Sequence, residues 1–154
     1  MIIRELSEED FAGIKKLVFQ VHKLHLKNRP DIYNDVDPFE RRYFEFLIHD
    51  EKTLALVCEN EGRPVGFCVV SLREPSENPL LKARKVAFVE DLCVDEQCRK
   101  MGIGKALMAE VQQRAKAKGA AAMELTVWAF NENAVKFYEN LGMSPRSITM
   151  EKPL

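Results

Sequence analysis

The stretch Arg99-Lys100-Met101-Gly102-Ile103-Gly104-Lys105 sets two glycines among three basic side chains. It lies between an apolar run ending at Val94 and a helical pattern beginning near Ile103. A glycine-rich turn at a helix N-terminus offers unbonded backbone N–H groups and the positive end of the helix dipole, which suits a phosphate. Glycine also lets the backbone approach such a ligand closely. Residue identities exclude two phosphate loops. A Walker A loop needs glycine where Arg99 stands and Ser or Thr where Ala106 stands. A dinucleotide fingerprint needs glycine where Leu107 stands, and its strand comes early in the chain. A plain tight strand–helix turn is the alternative to a phosphate site.

A second candidate is the adjacent pair Glu90-Asp91, inside the apolar run from Ala87 to Val94. Carboxylates there are costly to bury without a purpose. Neighbours on a regular strand project to opposite faces, so the two acids are expected on different sides. Pairing of both with Arg or Lys at a strand end is the simpler alternative. The cysteines at 58, 68, 93 and 98 form no Cys-x-x-Cys pair. Cys58, Cys68 and Cys93 fall in apolar strand-like runs, where buried, reduced thiols are expected. A zinc site on Cys93 and Cys98, or on His22 and His25, would need further ligands that the sequence does not indicate, so no metal is expected.

The elements that must position these groups are legible from periodicity. Met1–Leu6 reads as a short strand. Ser7 starts a helix, with Asp10 in the capping-box place and Phe11, Ile14, Leu17, Val18, Val21 and Leu24 on one face. A polar loop runs from Lys27 to Asp37. Asp37-Pro38 is expected to open a second helix with an apolar stripe of Phe39, Tyr43, Phe46 and Leu47. Strands are expected over 53–59 and 65–72, joined by the turn Asn60-Glu61-Gly62, and over 85–94. A helix over 103–118 stopped by Gly119, a strand over 122–128, a helix over 131–141 stopped by Gly142, and a last short strand over 147–152 complete the order.

The chain has 154 residues and a formal charge of −1. That length predicts one domain, residues 1–154, with a sizeable core. The absence of a cationic excess argues against non-specific nucleic-acid binding. No apolar run approaches a membrane span, and the acidic N-terminus has no signal core, so a cytoplasmic protein is the expectation, with no nucleic-acid or membrane partner. Hairpin-connected strands followed by βαβ units imply an α/β (α+β) domain with a mixed sheet and helices on both faces.

Arg99-x-x-Gly102-x-Gly104 after a strand resembles the pyrophosphate signature of the GNAT acetyltransferase superfamily. Asn131-x-x-Ala134-x-x-Phe137-Tyr138-Glu139-x-Leu141-Gly142-Met143 is similar to that family's final helix, and the distance between the landmarks fits one helix and one strand. The resemblance implies a mostly antiparallel twisted sheet of six or seven strands flanked by about four helices. It implies acetyl-CoA as cosubstrate, paired along its pantetheine arm by the backbone of Leu92, Cys93 and Val94. The amides of Arg99, Lys100, Met101, Gly102, Ile103, Gly104 and Lys105 would hold the pyrophosphate, Asn131 would bond the pantetheine arm, and Ala134 and Phe137 would line the channel.

The implied reaction is direct attack by an amine in a ternary complex. A free amine with a pKa of about 10.4 is mostly protonated at neutral pH and must lose a proton first. Strand amides near Leu92–Val94 are placed for the oxyanion. The leaving thiolate, of pKa about 8.5, can be protonated by a phenol, which assigns the general acid to Tyr138 by the same resemblance. Phe88-Val89-Glu90-Asp91-Leu92 is similar to the matching strand of diamine (spermidine/spermine) N-acetyltransferases. That match implies Glu90 as base, acting directly or through water, and Asp91 as a second acidic contact for a cationic acceptor. Leu24-His25-Leu26 with Arg29-Pro30-Asp31 is similar to a helix–loop that borders the acceptor pocket in many GNAT proteins, so His25 and Asp31 join the acceptor-site candidates. A non-catalytic acetyl-CoA sensor, or an enzyme acting on protein N-termini or lysines, are the alternatives. An exposed final strand would suit a homodimer.

Overall fold

Residues 1–154 are all described in the computed structural model, and its first turn shows how the chain is tied down. β1 (Ile2–Glu5) leads into a capping box, where the Ser7 amide donates to Asp10 Oδ2 at 2.8 Å. Arg4 grips both Asp10 oxygens at 2.7 and 2.9 Å and also bonds Glu59 on the neighbouring strand. α1 (Phe11–Asn28) follows and buries Ile14 and Leu17.

α2 spans Arg41–His49 and is capped at Glu40, three residues later than Asp37-Pro38 suggests. Phe39 explains the delay: it is 2% exposed and packs between Phe11 and Phe44, so the Asp-Pro-Phe segment is extended to deliver that ring. The later start turns the helix. Phe44 and Leu47 are its buried residues, while Tyr43 and Phe46 are exposed.

β2 (Thr53–Asn60), β3 (Arg63–Arg73) and β4 (Val86–Val94) form an antiparallel meander, joined by β1 at one edge. α3 (Ile103–Ala117) carries the chain over to β5 (Ala122–Leu125), which pairs parallel with β4. α4 (Glu132–Asn140) is the last regular element. The sheet order is β1-β2-β3-β4-β5, a mixed and mostly antiparallel α/β arrangement.

Five strands form, not six or seven. Residues 147–152 make no strand and are exposed, so the edge expected to serve a homodimer is absent. Arg146 instead pairs with Glu124, and Glu151 with Arg29. β5 also stops at Leu125, short of Trp128.

Alternation splits the core into two layers. Leu56, Cys68, Val70 and Val89 face α3, with Phe137 and Tyr138 of α4 packed against that layer. Val57, Phe67, Val69 and Cys93 face α1 and α2. The four cysteines are free and buried.

Candidate active site

β4 and β5 are paired only where Val86–Val89 faces Ala122–Leu125. β4 continues against β3 as far as Val94, so the two parallel strands part at Glu90. Along Glu90–Val94 the β5-facing backbone groups have no strand to bond, and buried N–H and C=O groups demand partners. An extended, amide-bearing chain fits such a cleft. Leu92, Cys93 and Val94 lie along it. Cys93 offers its backbone alone: its side chain is buried toward α1, with Sγ 3.3 Å from the Leu17 carbonyl, and burial pushes the thiol up to about 12.

The cleft ends at the start of α3. A Cβ on Gly104 would lie 3.2 Å from Phe137 Cζ and 3.6 Å from Val94 Cγ2, so strand, helix start and α4 meet there without room for a side chain. Leading into this point, Lys100 and Gly102 have φ of 64° and 80°. Those left-handed turns curl the loop into a concavity of amides. The Cys98 amide bonds Asp95, and the next amide to find a backbone carbonyl is that of Ala106. The seven amides from Arg99 to Lys105 therefore have no backbone acceptor, at the positive end of a 15-residue helix. Arg99, Lys100 and Lys105 are exposed around them. A diphosphate has the charge and oxygens to satisfy this set.

Asn131 caps α4, its Oδ1 accepting from the Ala134 amide at 3.2 Å, while its Nδ2 makes no hydrogen bond within the protein. Phe137 and Tyr138 are partly buried, their ring centroids 5.2 Å apart. Burial, then the charges of Cys68 and Asp91, pushes the Tyr138 phenol up to about 12, so it holds its proton throughout the neutral range.

The two acids depart from the regular-strand expectation. The β3–β4 register slips between Val69 and Val70: Val69 faces Asp91, Val70 faces Val89, and Glu90 is the extra residue of a β-bulge. Both carboxylates consequently lie on the α1–α2 side. Asp91 is opposite Val69, and Glu90 Oε1 accepts from Ser71 Oγ at 2.5 Å, two residues along the same face. Arg73 also bonds Glu90, at 3.2 Å. Burial, then the Glu90 charge, raises the Asp91 carboxyl above the usual range. Burial of its hydroxyl, then the charges of Asp91 and Glu90, pushes the phenol of Tyr43 on α2 up to about 12.

His25 stacks on Tyr33 at 5.0 Å, and burial, then His22, lowers its pKa. Tyr33 accepts a hydrogen bond from Trp128 Nε1 at 2.9 Å, so α1 and the β5–α4 connection are joined by an aromatic cluster. Asp31 is exposed, with both oxygens bonded by Arg29. Sequence reasoning missed Ser71, Arg73 and Tyr43. A polar alternation at the end of an apolar strand was the signal for the first two; Tyr43 read as core. No group of three or more side chains is placed to hold a metal.

The Acetyltransferase (GNAT) family model matches residues 18–143. An uncharacterized N-acetyltransferase of Methanocaldococcus jannaschii is 30% identical over 146 residues, 95% of this chain but 62% of that protein, so the chain spans less than two thirds of that relative's length. The thialysine N-epsilon-acetyltransferase of Sus scrofa is 26% identical, over 92% of this chain and 83% of its own. Among solved structures, the BH1408 protein of Bacillus halodurans superposes with a TM-score of 0.96 at 36% identity, covering 100% of both chains. The matched region runs from α1 through the cleft and the amide loop to the end of α4, and on that ground the chain belongs to the GNAT acetyltransferase family.

Proposed function

We propose that this protein transfers the acetyl group of acetyl-CoA to a primary amine. The observation that carries the reading is the run of seven unbonded amides beside the opened edge of β4, which fits a diphosphate followed by an extended amide chain. Acetyl-CoA, when bound, supplies a thioester carbonyl open to an amine lone pair. The loop amides and the basic residues 99, 100 and 105 hold the diphosphate, and the backbone of Leu92–Val94 orients the arm. Asn131 Nδ2, Ala134 and Phe137 line its path. Tyr138, protonated at neutral pH, gives its proton to the departing sulfur. A β4 carboxylate, Glu90 in the sequence reading, takes the proton of the incoming ammonium.

The acceptor comes from the α1–α2 side, where Glu90, Asp91 and Tyr43 present acidic and phenolic groups to a cation. A small diamine or lysine-like amine suits this charge, and the named activity of the porcine relative is of that kind. His25 borders the same side through its aromatic cluster. Asp31 is already engaged by Arg29, which weakens its claim to select a cation.

The test is thiol release from acetyl-CoA with polyamines, lysine analogues, aminoglycosides and short peptides. Release with a diamine or lysine analogue supports the reading. Release with peptides alone removes the small-amine acceptor, and binding of acetyl-CoA without release to any amine removes the enzyme.

A further inference from the structure

The bulge in β4 separates two carboxylates that the sequence presents as a pair. Glu90 is clamped, by Ser71 Oγ at 2.5 Å and by Arg73 at 3.2 Å. Arg73 is itself held, its guanidinium 3.5 Å from the centre of the Phe88 ring. Both donors land on Oε1, which fixes the carboxylate in place and commits that oxygen to Ser71 and Arg73. Asp91 differs in every respect. It is partly buried, and only burial and its neighbour's charge act on it, with no hydrogen bond from a protein donor. The titratable groups around it are Glu90, Tyr43 of α2, Cys68 of β3, Cys93 of β4 and Tyr138 of α4. Its charge bears on the phenols of both Tyr43 and Tyr138, the latter beside the sulfur in the proposed reaction; that of Glu90 bears on Tyr43 and not on Tyr138.

We infer that Asp91 is the catalytic residue that takes the proton from the attacking ammonium, and that Glu90 is a positioning residue whose clamped charge sits beside it. The inference rests on the proposed acetyl transfer to an amine. The proton balance is simple. Asp91 accepts one proton from the ammonium, freeing the lone pair that forms the N–C bond as the C–S bond breaks. Tyr138 passes its proton to the sulfur and regains one from the acylated nitrogen, and Asp91 returns its proton to solvent. A carboxylate that is free of protein donors and raised toward the working range is suited to be the base.

The test is the pH profile of kcat, which reports groups in the bound complex, for the whole chain with the panel amine that it turns over. Asp91→Asn is expected to lower kcat by about 100-fold or more, far beyond any rise in KM, to leave CoA binding nearly unchanged, and to abolish the acidic limb. Asp91→Glu restores part of the rate. Glu90→Gln retains an acidic limb and moves it to lower pH, because the neighbouring negative charge is gone, and raises the KM of a cationic acceptor. This shift is read from the position of the limb, not from the rate, and stands even if an Asp91 variant folds poorly. Loss of the limb in Glu90→Gln with its retention in Asp91→Asn overturns the assignment. So does an Asp91→Asn variant that raises KM alone. Absence of thiol release by the unaltered protein overturns the acetyl-transfer reading itself, and is thereby distinguished.

Discussion

Tyr138 and Asp91 show opposite uses of burial. For the phenol, burial guards the proton that the thiolate needs, and Tyr138→Phe removes that donor while keeping the ring. We predict a fall in kcat of about 10²- to 10⁴-fold with little change in CoA affinity, read by steady-state kinetics and calorimetry. Equal losses in both would remove Tyr138 from the chemistry. For the carboxylate, burial is a cost to the fold. Its folded pKa lies above the unfolded value of about 3.9, so the folded state is favoured while Asp91 is protonated and loses that advantage as pH rises through the raised pKa. Asp91→Asn should therefore stabilise the protein at pH 7.5, and by less at pH 4.5, in urea unfolding. A site that gains stability when its acid is removed has kept that acid for another reason.

At the scale of elements, the amide loop depends on two left-handed residues of opposite merit. Gly102, at φ 80°, has nothing within 4 Å of a would-be Cβ, so Gly102→Ala isolates the backbone cost. We expect a loss of about 1 kcal/mol together with weaker CoA binding. Lys100, at φ 64°, bears the strain that glycine would relieve, so Lys100→Gly should gain up to about 1 kcal/mol while still weakening CoA binding through its lost charge. Chemical unfolding with and without CoA checks both.

The loop, the helix after it and the strand before it were legible because glycine, charge and apolar period all mark local structure. So was the run Asn131–Leu141, through its cap and its Gly142 stop. What was not legible depends on partners far away in sequence. The β-bulge exists in the pairing of β4 with β3, where Glu90 has no partner, and leaves no period of its own. The start of α2 is set by where Phe39 finds its pocket. The failed strand over 147–152 alternates well enough, but Arg146 just before it and Glu151 within it are drawn to Glu124 and Arg29 instead.

Across the whole molecule, the fold's N-terminal edge hangs on one nearly buried charge. Asp10 is 4% exposed. Burial alone would raise its pKa, but Arg4 together with the amide and hydroxyl of Ser7 outweighs that and holds it below the usual range. Such a carboxylate stabilises the fold above about pH 3.9, and the contribution is lost as pH falls through the lowered value. Arg4→Ala should cost about 3 kcal/mol at pH 7, near the low end for stranding a buried charge because Arg4 itself is partly exposed. The gap to the unaltered protein should close as Asp10 becomes protonated, in unfolding curves taken from pH 7 to pH 3.

The extra residue in β4 also behaves as a frameshift in three dimensions. Upstream of Glu90, Ala87 and Val89 point at α3; downstream, Leu92 and Val94 do, and Cys93 points the other way. Odd and even positions have exchanged meaning within one strand. A regular strand of the same nine residues, with Glu90 paired instead of bulged, would send every later side chain of β4 to the wrong layer: Cys93 toward α3, Leu92 and Val94 toward α1. The extra residue and the bulge that absorbs it must thus occur together, whereas the loop from Glu74 to Arg84, which carries no such parity, can change length without altering the frame on either side.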